Sequence, residues 1–353
     1  MQTVTGRTIR QWLTANIIEA ALAAAPRMPE WAIAGLERLV ATGGTHVPVL
    51  RSIVAANMRA AGVWSEQNHA AYFARAAAHL AGVLHVFRHA SGIDQGTTGR
   101  IHPDLARYVE SVVRLDDSFD CLRRAAAAGR GVVLMGVHAS HFMLVVARMN
   151  QELPITVYLR HSRDPRRQQA KQQWCRAAGL EFIAEPPNAA DPTRRAALMA
   201  EALHAGRVLI ITPDLPQKRE LGAPVDFLGR EIYLPAGPAA LSLLAESPIV
   251  TVLARPAEDP QAIILSLHGP LAPDAQRGYK GWRQEAIRQR LQWFVDLFTS
   301  EFLLKYPALW FLWGDKRWTR VFRGDPRYTG PVQRQPQGPR EHAGPANAAK
   351  GVA

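Results

Sequence analysis

The middle of the chain alternates short, continuous apolar runs with longer segments in which apolar residues recur at helical spacing. The apolar runs predict strands at residues 132–137, 154–159, 208–212, 247–254 and 262–267. The intervening segments predict helices at 116–128, 142–149, 164–178 and 192–205, with another beginning at Pro235. The run 132–137 lacks polar alternation, which is typical of a strand buried on both faces of a parallel sheet. We therefore predict an α/β fold with a mixed, largely parallel central sheet flanked by helices.

The two ends of the chain differ from this middle part. Residues 6–90 are rich in alanine and predict helices, divided by proline or glycine, at 8–25, 30–42, 47–61 and 65–89. Residues 107–115 predict a short strand, and residues 282–305 predict a long amphipathic helix. Beyond about residue 331 the chain is Pro, Gln, Gly and Ala with few hydrophobics, which predicts disorder. The predicted organisation is an N-terminal helical region, an α/β core and a disordered tail, at 1–100, 101–330 and 331–353.

Charge narrows the class of partner. The 353 residues include 42 Lys and Arg against 30 Asp and Glu, a formal net charge of +12. Such a surplus favours nucleic acid, an anionic lipid surface or an acidic protein. Nucleic acid is the least favoured, because we find no helix-turn-helix, zinc-finger spacing or ribonucleoprotein motif. Aromatic residues mixed with arginines in the helical region, such as Trp31 and Trp64, suit a membrane interface, although ordinary packing on the sheet would explain them equally well.

Several other classes of protein are disfavoured. Cys121 and Cys175 do not form a Cys-x-x-Cys pair, so we predict no disulfide framework and a reducing compartment. No run of about 18 consecutive apolar residues exists, so no membrane-spanning helix is expected. The mildly apolar stretch 17–25 carries Glu19 and is not typical of a signal peptide. The sequence has no phosphate-binding loop and no Gly-x-Ser-x-Gly elbow, which argues against an α/β hydrolase.

His138 is the most informative candidate for chemistry. It follows the predicted strand 132–137, and ligands of open α/β sheets bind in the crevice at the carboxyl ends of the strands. Neutral imidazole is well matched to taking a proton near pH 7. A lone histidine beside an apolar run can equally be a structural residue, so its position alone leaves both interpretations open.

Ser140 and His141 lie close to His138 along the chain. His138 and His141 form a His-x-x-His pair, but two ligands without a nearby Asp, Glu or Cys are a weak zinc signal, so we expect no metal. His141 is a candidate partner of His138 or an alternative base, or it merely caps the following helix. Ser140 is a second candidate partner.

Four segments together resemble the lipid A biosynthesis acyltransferase family, a branch of the lysophospholipid acyltransferase superfamily. They are the His138 segment, the Pro213-Asp214 segment with the turn at 227–230, the helix start at 235–239 and the Trp- and Arg-rich segment 310–320. In that family a strand ends in Gly-x-His-x-Gly-Asn-Trp-Glu, and the histidine and the acid five positions later are catalytic. His138 matches the histidine, whereas Met143 stands at the position of the acid.

The missing acid has a physical consequence. A carboxylate fixes the tautomer of a catalytic histidine and stabilises the imidazolium, and its loss costs ~10⁴ in rate in serine proteases. A thioether cannot replace it. Either Ser140, His141 or a carboxylate from elsewhere such as Asp214 orients His138, or the activity is weak, altered or gone. An Asp at the start of a Pro-containing turn is also common without any catalytic role.

The resemblance implies an activity and a location. It implies transfer of a fatty acyl group from an acyl carrier protein or acyl coenzyme A to a hydroxyl of a glycolipid or related amphiphile, with His138 as general base and without a cofactor. It further implies a peripheral protein on the cytoplasmic face of the inner membrane of a Gram-negative bacterium. Phosphate groups of the substrate would be bound by cations at Arg160, Lys218, Arg219 and Arg317.

Two alternatives to this activity stay open. Met143 is compatible with a family member redirected to another acyl or aminoacyl group, or to another acceptor. It is also compatible with a lipid-binding scaffold that has lost catalysis. Arg160 also has a simpler interpretation, as a solvated cation at the end of a strand that binds no substrate.

Overall fold

The computed structural model describes residue 20 and residues 23–89, 101–162, 164–185, 192–259, 261–273 and 280–331. Its strands are β1 (Val113–Leu115), β2 (Val132–Gly136), β3 (Ile155–Leu159), β4 (Glu181–Ala184), β5 (Val208–Ile211), β6 (Ala223–Phe227), β7 (Arg230–Leu234), β8 (Ile249–Pro256) and β9 (Ile263–Leu271). Seven of these strands form one sheet in the order β1-β9-β8-β2-β5-β3-β4, and β6 and β7 form a separate antiparallel hairpin. The mixed, largely parallel sheet that the sequence predicts is therefore confirmed.

The sheet is parallel except between β8 and β9. β2 lies at its centre, with β8 on one side and β5 on the other. All five residues of β2 are buried, as the continuous apolar run predicts for a strand covered on both faces. The carboxyl ends of β2, β5 and β8 meet at one edge, so the loops after β2 and β5 face each other.

Helices cover the sheet. They are α1 (Glu30–His46), α2 (Pro48–Ala60), α3 (Glu66–His89), α4 (Pro103–Val112), α5 (Phe119–Ala127), α6 (Phe142–Asn150), α7 (Pro165–Ala177), α8 (Pro192–His204), α9 (Gly237–Leu244), α10 (Trp282–Leu297) and α11 (Lys316–Phe322). A π-helical turn (Phe298–Leu303) and two short 3₁₀ helices (Pro307–Leu309 and Phe311–Gly314) join α10 to α11. In the core of this connection, the Phe298 ring stacks on Phe294 and Phe302 and meets Trp310 edge to face.

Most predicted elements agree with the structure to within a few residues, but three predictions were wrong. The segment 107–115 is mainly the end of α4, and only its last three residues form a strand. The helix begins because Pro103 occupies its first turn and the His102 side chain accepts a hydrogen bond from the Asp104 amide.

The other two errors concern helix ends. α1 continues through Gly43 and Gly44 to His46, where the sequence predicts an end at residue 42. The predicted helix 282–305 is α-helical only to Leu297 and continues as the wider π-helical turn to Leu303. β4 and the β6–β7 hairpin were not predicted. The predicted helix 8–25 and the predicted tail lie largely outside the described residues.

α3 is packed against the segments around His138. The Tyr72 hydroxyl donates to the Phe311 carbonyl, 3.2 Å away, and His79 Nδ1 accepts from the His141 amide at 3.1 Å. Among the described residues, α3 is also long and apolar enough to cross a membrane, a property that the core helix of a soluble protein can share.

Candidate active site

His138 is presented at the carboxyl edge of the sheet by the end of β2. Gly136, the last residue of that strand, lies where a Cβ atom would be 3.4 Å from Val252 Cγ1 and 3.8 Å from both Ile210 and Thr212 side chains. A Cβ at this position would make only ordinary van der Waals contacts with the neighbouring strands. His138 then follows in the loop, with its side chain 26% exposed, so the ring is supported by the core but accessible from the crevice.

Asp214, in the loop after β5, is the partner of this histidine. Its Oδ1 lies 2.6 Å from His138 Nδ1, and its Oδ2 accepts the His138 amide at 2.8 Å. The carboxylate side chain is fully buried. Since Asp214 accepts at Nδ1, the neutral ring carries its proton there and leaves Nε2 as the basic nitrogen.

Two indole groups complete the surroundings of Asp214. Trp310 Nε1 donates to Oδ2 at 3.1 Å, and Trp318 Nε1 donates to the Asp214 carbonyl at 2.9 Å. Both tryptophans are buried. A buried carboxylate is tolerated when its oxygens are hydrogen-bonded in this way.

Opposing effects set the pKa of His138. Burial alone lowers it, but the negative charge of Asp214 and the hydrogen bond to it outweigh burial, so the pKa lies above the ordinary histidine value. The positive charge of Arg317 works against this rise. Thr212 Oγ1 lies 3.5 Å from Nε2, and the Phe142 ring is 5.6 Å from the imidazole.

The other two candidate partners do not contact His138. Ser140 Oγ and both ring nitrogens of His141 are buried, with no hydrogen-bond partner among the described residues. The His141 backbone instead adopts a left-handed conformation, with φ at 62°, immediately before α6. Burial lowers the pKa of His141 to about 3 and that of the adjacent His79 to about 4, so both rings are neutral near pH 7.

Met143 is half-buried in the first turn of α6 and packs against the hydrophobic core. A small apolar recess, with enclosed room for little more than one water molecule, lies between the first residues of α6 and the ends of β2, β5 and β8. Val137 and Ala139, the neighbours of His138, line it together with Phe142 and Leu265. An apolar group against this recess would therefore lie next to the histidine.

The predicted phosphate-binding cations differ in their surroundings. Arg317, at the start of α11, is 36% exposed and close enough to His138 to act on its pKa. Lys218 is exposed and lies 3.8 Å from Glu220, and the Arg219 guanidinium lies 6.0 Å from the Tyr233 ring centroid. Arg160 is exposed after β3. Arg160, Lys218 and Arg219 follow carboxyl ends of strands in the same sheet, but within the described residues none of them is seen to bond to His138.

Within the described residues, no group of three or more His, Cys, Asp and Glu side chains could hold a metal ion. The sequence reasoning missed Thr212, His79 and the two indole donors to Asp214. Trp310 and Trp318 belong to the segment that resembles the family's terminal motif. This resemblance indicates that the two residues are important but not that they donate to Asp214.

At the carboxyl edge of the sheet, an accessible histidine is paired with a buried carboxylate, an arrangement that could take up a proton there. The model of the bacterial lipid A biosynthesis acyltransferase family matches residues 35–318, about four-fifths of the sequence, and the chain belongs to that family. No individual curated protein matches the chain. The family indicates an acyltransferase that acts on lipid A-like substrates and is typically membrane-associated.

Proposed function

We propose that the protein transfers a fatty acyl group from a thioester donor to a hydroxyl of a lipid A-like glycolipid or related amphiphile, with His138 as general base. The observation that carries this proposal is the 2.6 Å contact between His138 Nδ1 and Asp214 Oδ1. Asp214 supplies, from the loop after β5, the carboxylate that this chain lacks at Met143. Asp214 orients His138 in this account.

The proton moves through Nε2. The acceptor hydroxyl gives its proton to Nε2 while its oxygen forms a bond with the thioester carbonyl carbon. The resulting imidazolium is stabilised by the Asp214 carboxylate. When the tetrahedral intermediate collapses, the carbon–sulfur bond breaks, the acyl ester is released and the thiolate takes the proton from His138. All atoms and protons of the reaction are accounted for without a cofactor.

The apolar recess beside His138 supports a fatty acyl group as the transferred unit. Its walls are aliphatic and aromatic side chains, which favour a hydrocarbon over a polar group because burial releases apolar surface from water. The recess is too small to enclose an acyl chain, so we expect the first carbons of the chain to lie against its apolar mouth, beside Val137 and Ala139.

Charge supports anionic substrates and an acidic donor protein. Arg317 beside the dyad, with Arg160, Lys218 and Arg219 along the same sheet edge, would bind phosphates of a glycolipid acceptor. The exposed basic residues of α7, Arg166, Arg167 and Arg176, together with Lys171, suit the acidic surface of an acyl carrier protein, while acyl coenzyme A is the other donor.

The N-terminal helices support a peripheral position on an anionic membrane, at the cytoplasmic face in this account. Trp31 and Leu39 lie eight residues apart on α1 and are exposed by 78% and 69%. Val49, at the start of α2, is 69% exposed. Arg38 and Arg51 are exposed near these apolar side chains. Apolar side chains flanked by cations suit the boundary between acyl chains and headgroups.

A lipid-binding scaffold is the second candidate, and Met143 is the observation that favours it. A scaffold needs the apolar recess and the cations but no base. The buried carboxylate at His138 Nδ1 favours the enzyme, since an unneeded buried charge is costly to keep. Redirection to a different acyl group or acceptor would use the same dyad.

The test is a transfer assay with mixed acyl carrier protein and acyl coenzyme A thioesters and a Gram-negative lipid extract, read by mass spectrometry. Wild-type protein is compared with His138→Ala and with His204→Ala, which changes an exposed histidine at the end of α8. We expect an acylated lipid that is absent only with His138→Ala. Binding of lipid by all three proteins without any new acyl ester would contradict the enzyme and favour the scaffold.

A further inference from the structure

We infer that Trp310 is a positioning residue, whose indole N–H holds the Asp214 carboxylate in the orientation that serves His138. The inference rests on the proposed function for its catalytic meaning, but the geometry stands independently. Trp310 lies 96 residues from Asp214 along the chain, and its Nε1 is 3.1 Å from Oδ2.

The hydrogen bonds of Asp214 are divided between its two oxygens. Oδ1 faces His138 Nδ1, while Oδ2 accepts from the His138 amide and from Trp310 Nε1. A carboxylate rotates readily about its last bond, because that torsion is broad and roughly two-fold. The two donors on Oδ2 fix the rotation so that Oδ1 points at the ring. The side chain is fully buried, so bulk water cannot supply a replacement donor.

Trp310 is itself held firmly. Its ring is fully buried and meets Trp313 and Trp318 edge to face, with centroids 4.7 and 4.8 Å apart. Its backbone pairs with Ala139, and the next amide, of Phe311, donates to the His138 carbonyl at 2.8 Å. The same segment therefore fixes the histidine through its backbone and the carboxylate through an indole.

A simpler interpretation is that a buried indole N–H takes whatever acceptor is nearest. Trp313 illustrates that case, because its Nε1 donates to the Pro307 carbonyl at 2.7 Å and does not touch Asp214. Trp313 is as deeply buried as Trp310 and belongs to the same aromatic cluster. It is therefore a matched control for the loss of one buried N–H···O bond.

The experiment compares wild-type protein with Trp310→Phe and Trp313→Phe, which keep an aromatic ring and remove the N–H. Chemical unfolding first establishes that both variants fold. The transfer assay then gives kcat and KM, and proton NMR follows the Nδ1–H resonance of His138, identified by its absence in His138→Ala. Because Nδ1 lies only 2.6 Å from the buried Asp214 Oδ1, we expect this proton to exchange slowly with water in wild-type protein.

With Trp310→Phe we expect kcat to fall about tenfold or more, the scale of one hydrogen bond to a charged group, with KM changed less than about twofold. The Nδ1–H resonance broadens or vanishes, because the freed carboxylate rotates and exposes the proton to exchange. Trp313→Phe leaves both readouts unchanged. Trp318→Phe, which releases the Asp214 carbonyl, gives an intermediate effect.

Equal losses of kcat in the two main variants, or an unchanged Nδ1–H resonance in Trp310→Phe, would overturn the positioning role. A failure of the proposed function would look different. Wild-type protein would then transfer no acyl group, and the resonance would still report whether Trp310 holds Asp214 in place.

Discussion

Met143 is the residue at which the sequence departs most sharply from the family motif, yet His138 has a carboxylate partner. Asp214 reaches Nδ1 from the loop after β5, so the proposed mechanism does not require an acid on α6. A carboxylate restored at 143 would enter a half-buried apolar environment.

We therefore expect Met143→Glu to lower the free energy of unfolding by about 1–3 kcal/mol without raising kcat. Met143→Leu, a swap of similar volume, should cost about 1 kcal/mol or less. Urea unfolding and the transfer assay measure the two effects. A gain of kcat in Met143→Glu would mean that a carboxylate at position 143 can still assist His138. Asp214 would then replace the motif acid only in part.

The neutral histidines beside the site make a second prediction at this scale. The pKa of His79 is lowered by burial to about 4 and that of His141 to about 3, whereas in the unfolded chain both titrate near 6.5. Between these values the unfolded state binds more protons, so the folded state loses stability as pH falls from about 6.5 towards 4.

Asn is the conservative replacement at both positions. It can accept the amide hydrogen bond that His79 Nδ1 accepts, and it tolerates the left-handed backbone at 141. In wild-type protein the free energy of unfolding falls as the pH is lowered. In the double variant His79→Asn/His141→Asn we expect this fall to be smaller by about 1.4 kcal/mol per pH unit for each proton that the unfolded chain no longer takes up. Urea titrations at pH 7, 6 and 5 measure this. Parallel slopes in variant and wild type would show that these rings do not drive acid unfolding.

At the scale of elements, buried hydrogen bonds join the N-terminal helices to the end of the core. Asn57 on α2 donates to the Trp313 carbonyl at 2.7 Å and to Thr319 Oγ1 at 3.0 Å, and it is 2% exposed. The boundary predicted at residue 100 stays a prediction. These contacts indicate that the described helices before and after it share one folding unit.

Asn57→Leu should lower the free energy of unfolding by about 2 kcal/mol, because the Trp313 carbonyl would lose its donor. Tryptophan fluorescence and far-UV circular dichroism should shift together, while kcat per folded molecule stays unchanged. Ser52→Ala, on the exposed face of α2, is the control. Two separate transitions in the variant would instead mean that the helices unfold independently of the core.

The sequence predicts elements and strand ends well where local pattern decides them. The continuous apolar run of β2 and the polar residues after β2 and β5 place His138 and Asp214 at one edge, because parallel strands end together. Residues 107–115 mislead because their apolar residues suit either a strand or a helix over so short a span. Here Pro103 in the first turn and the N-cap at His102 favour the helix.

The remaining site features depend on contacts between distant parts of the chain. Trp310 meets Asp214 across 96 residues, and Asn57 meets Trp313 across 256. No local period or spacing indicates which indole N–H will reach which acceptor. The choice of Asp214 over Ser140 and His141 as the partner of His138 likewise follows only from the packing of β5 beside β2.

At the scale of the whole molecule, the net charge of +12 and the exposed side chains of α1 and α2 lead to a binding prediction. Vesicles with anionic phospholipid should bind the protein more tightly than neutral vesicles, and salt should weaken this binding. The triple variant Trp31→Ser/Leu39→Ser/Val49→Ser should lose about tenfold or more in affinity for anionic vesicles, because it removes the inserting apolar area.

Leu244→Ser is the matched control, since Leu244 is 59% exposed on α9 rather than on the N-terminal helices. Co-sedimentation with vesicles of both compositions measures the affinities. If the triple variant binds anionic vesicles as wild type does, charge alone brings the protein to the membrane. The N-terminal apolar side chains then have another partner.

The central claim is that Asp214 replaces the motif acid as the partner of a catalytic His138. The most direct measurement is the pH dependence of kcat/KM for wild-type protein and Asp214→Asn. The base must be neutral, so kcat/KM rises as His138 loses its proton, and the raised pKa puts that midpoint above about 6.5 in wild type.

Asp214→Asn removes the negative charge and the charged hydrogen bond that raise the pKa of His138, and burial, the largest remaining effect, lowers it. The midpoint should therefore move below about 6.5. We also expect kcat to fall by about 10³ to 10⁴, because the tautomer is no longer fixed. An unchanged midpoint, with kcat within a few-fold of wild type, would contradict the account.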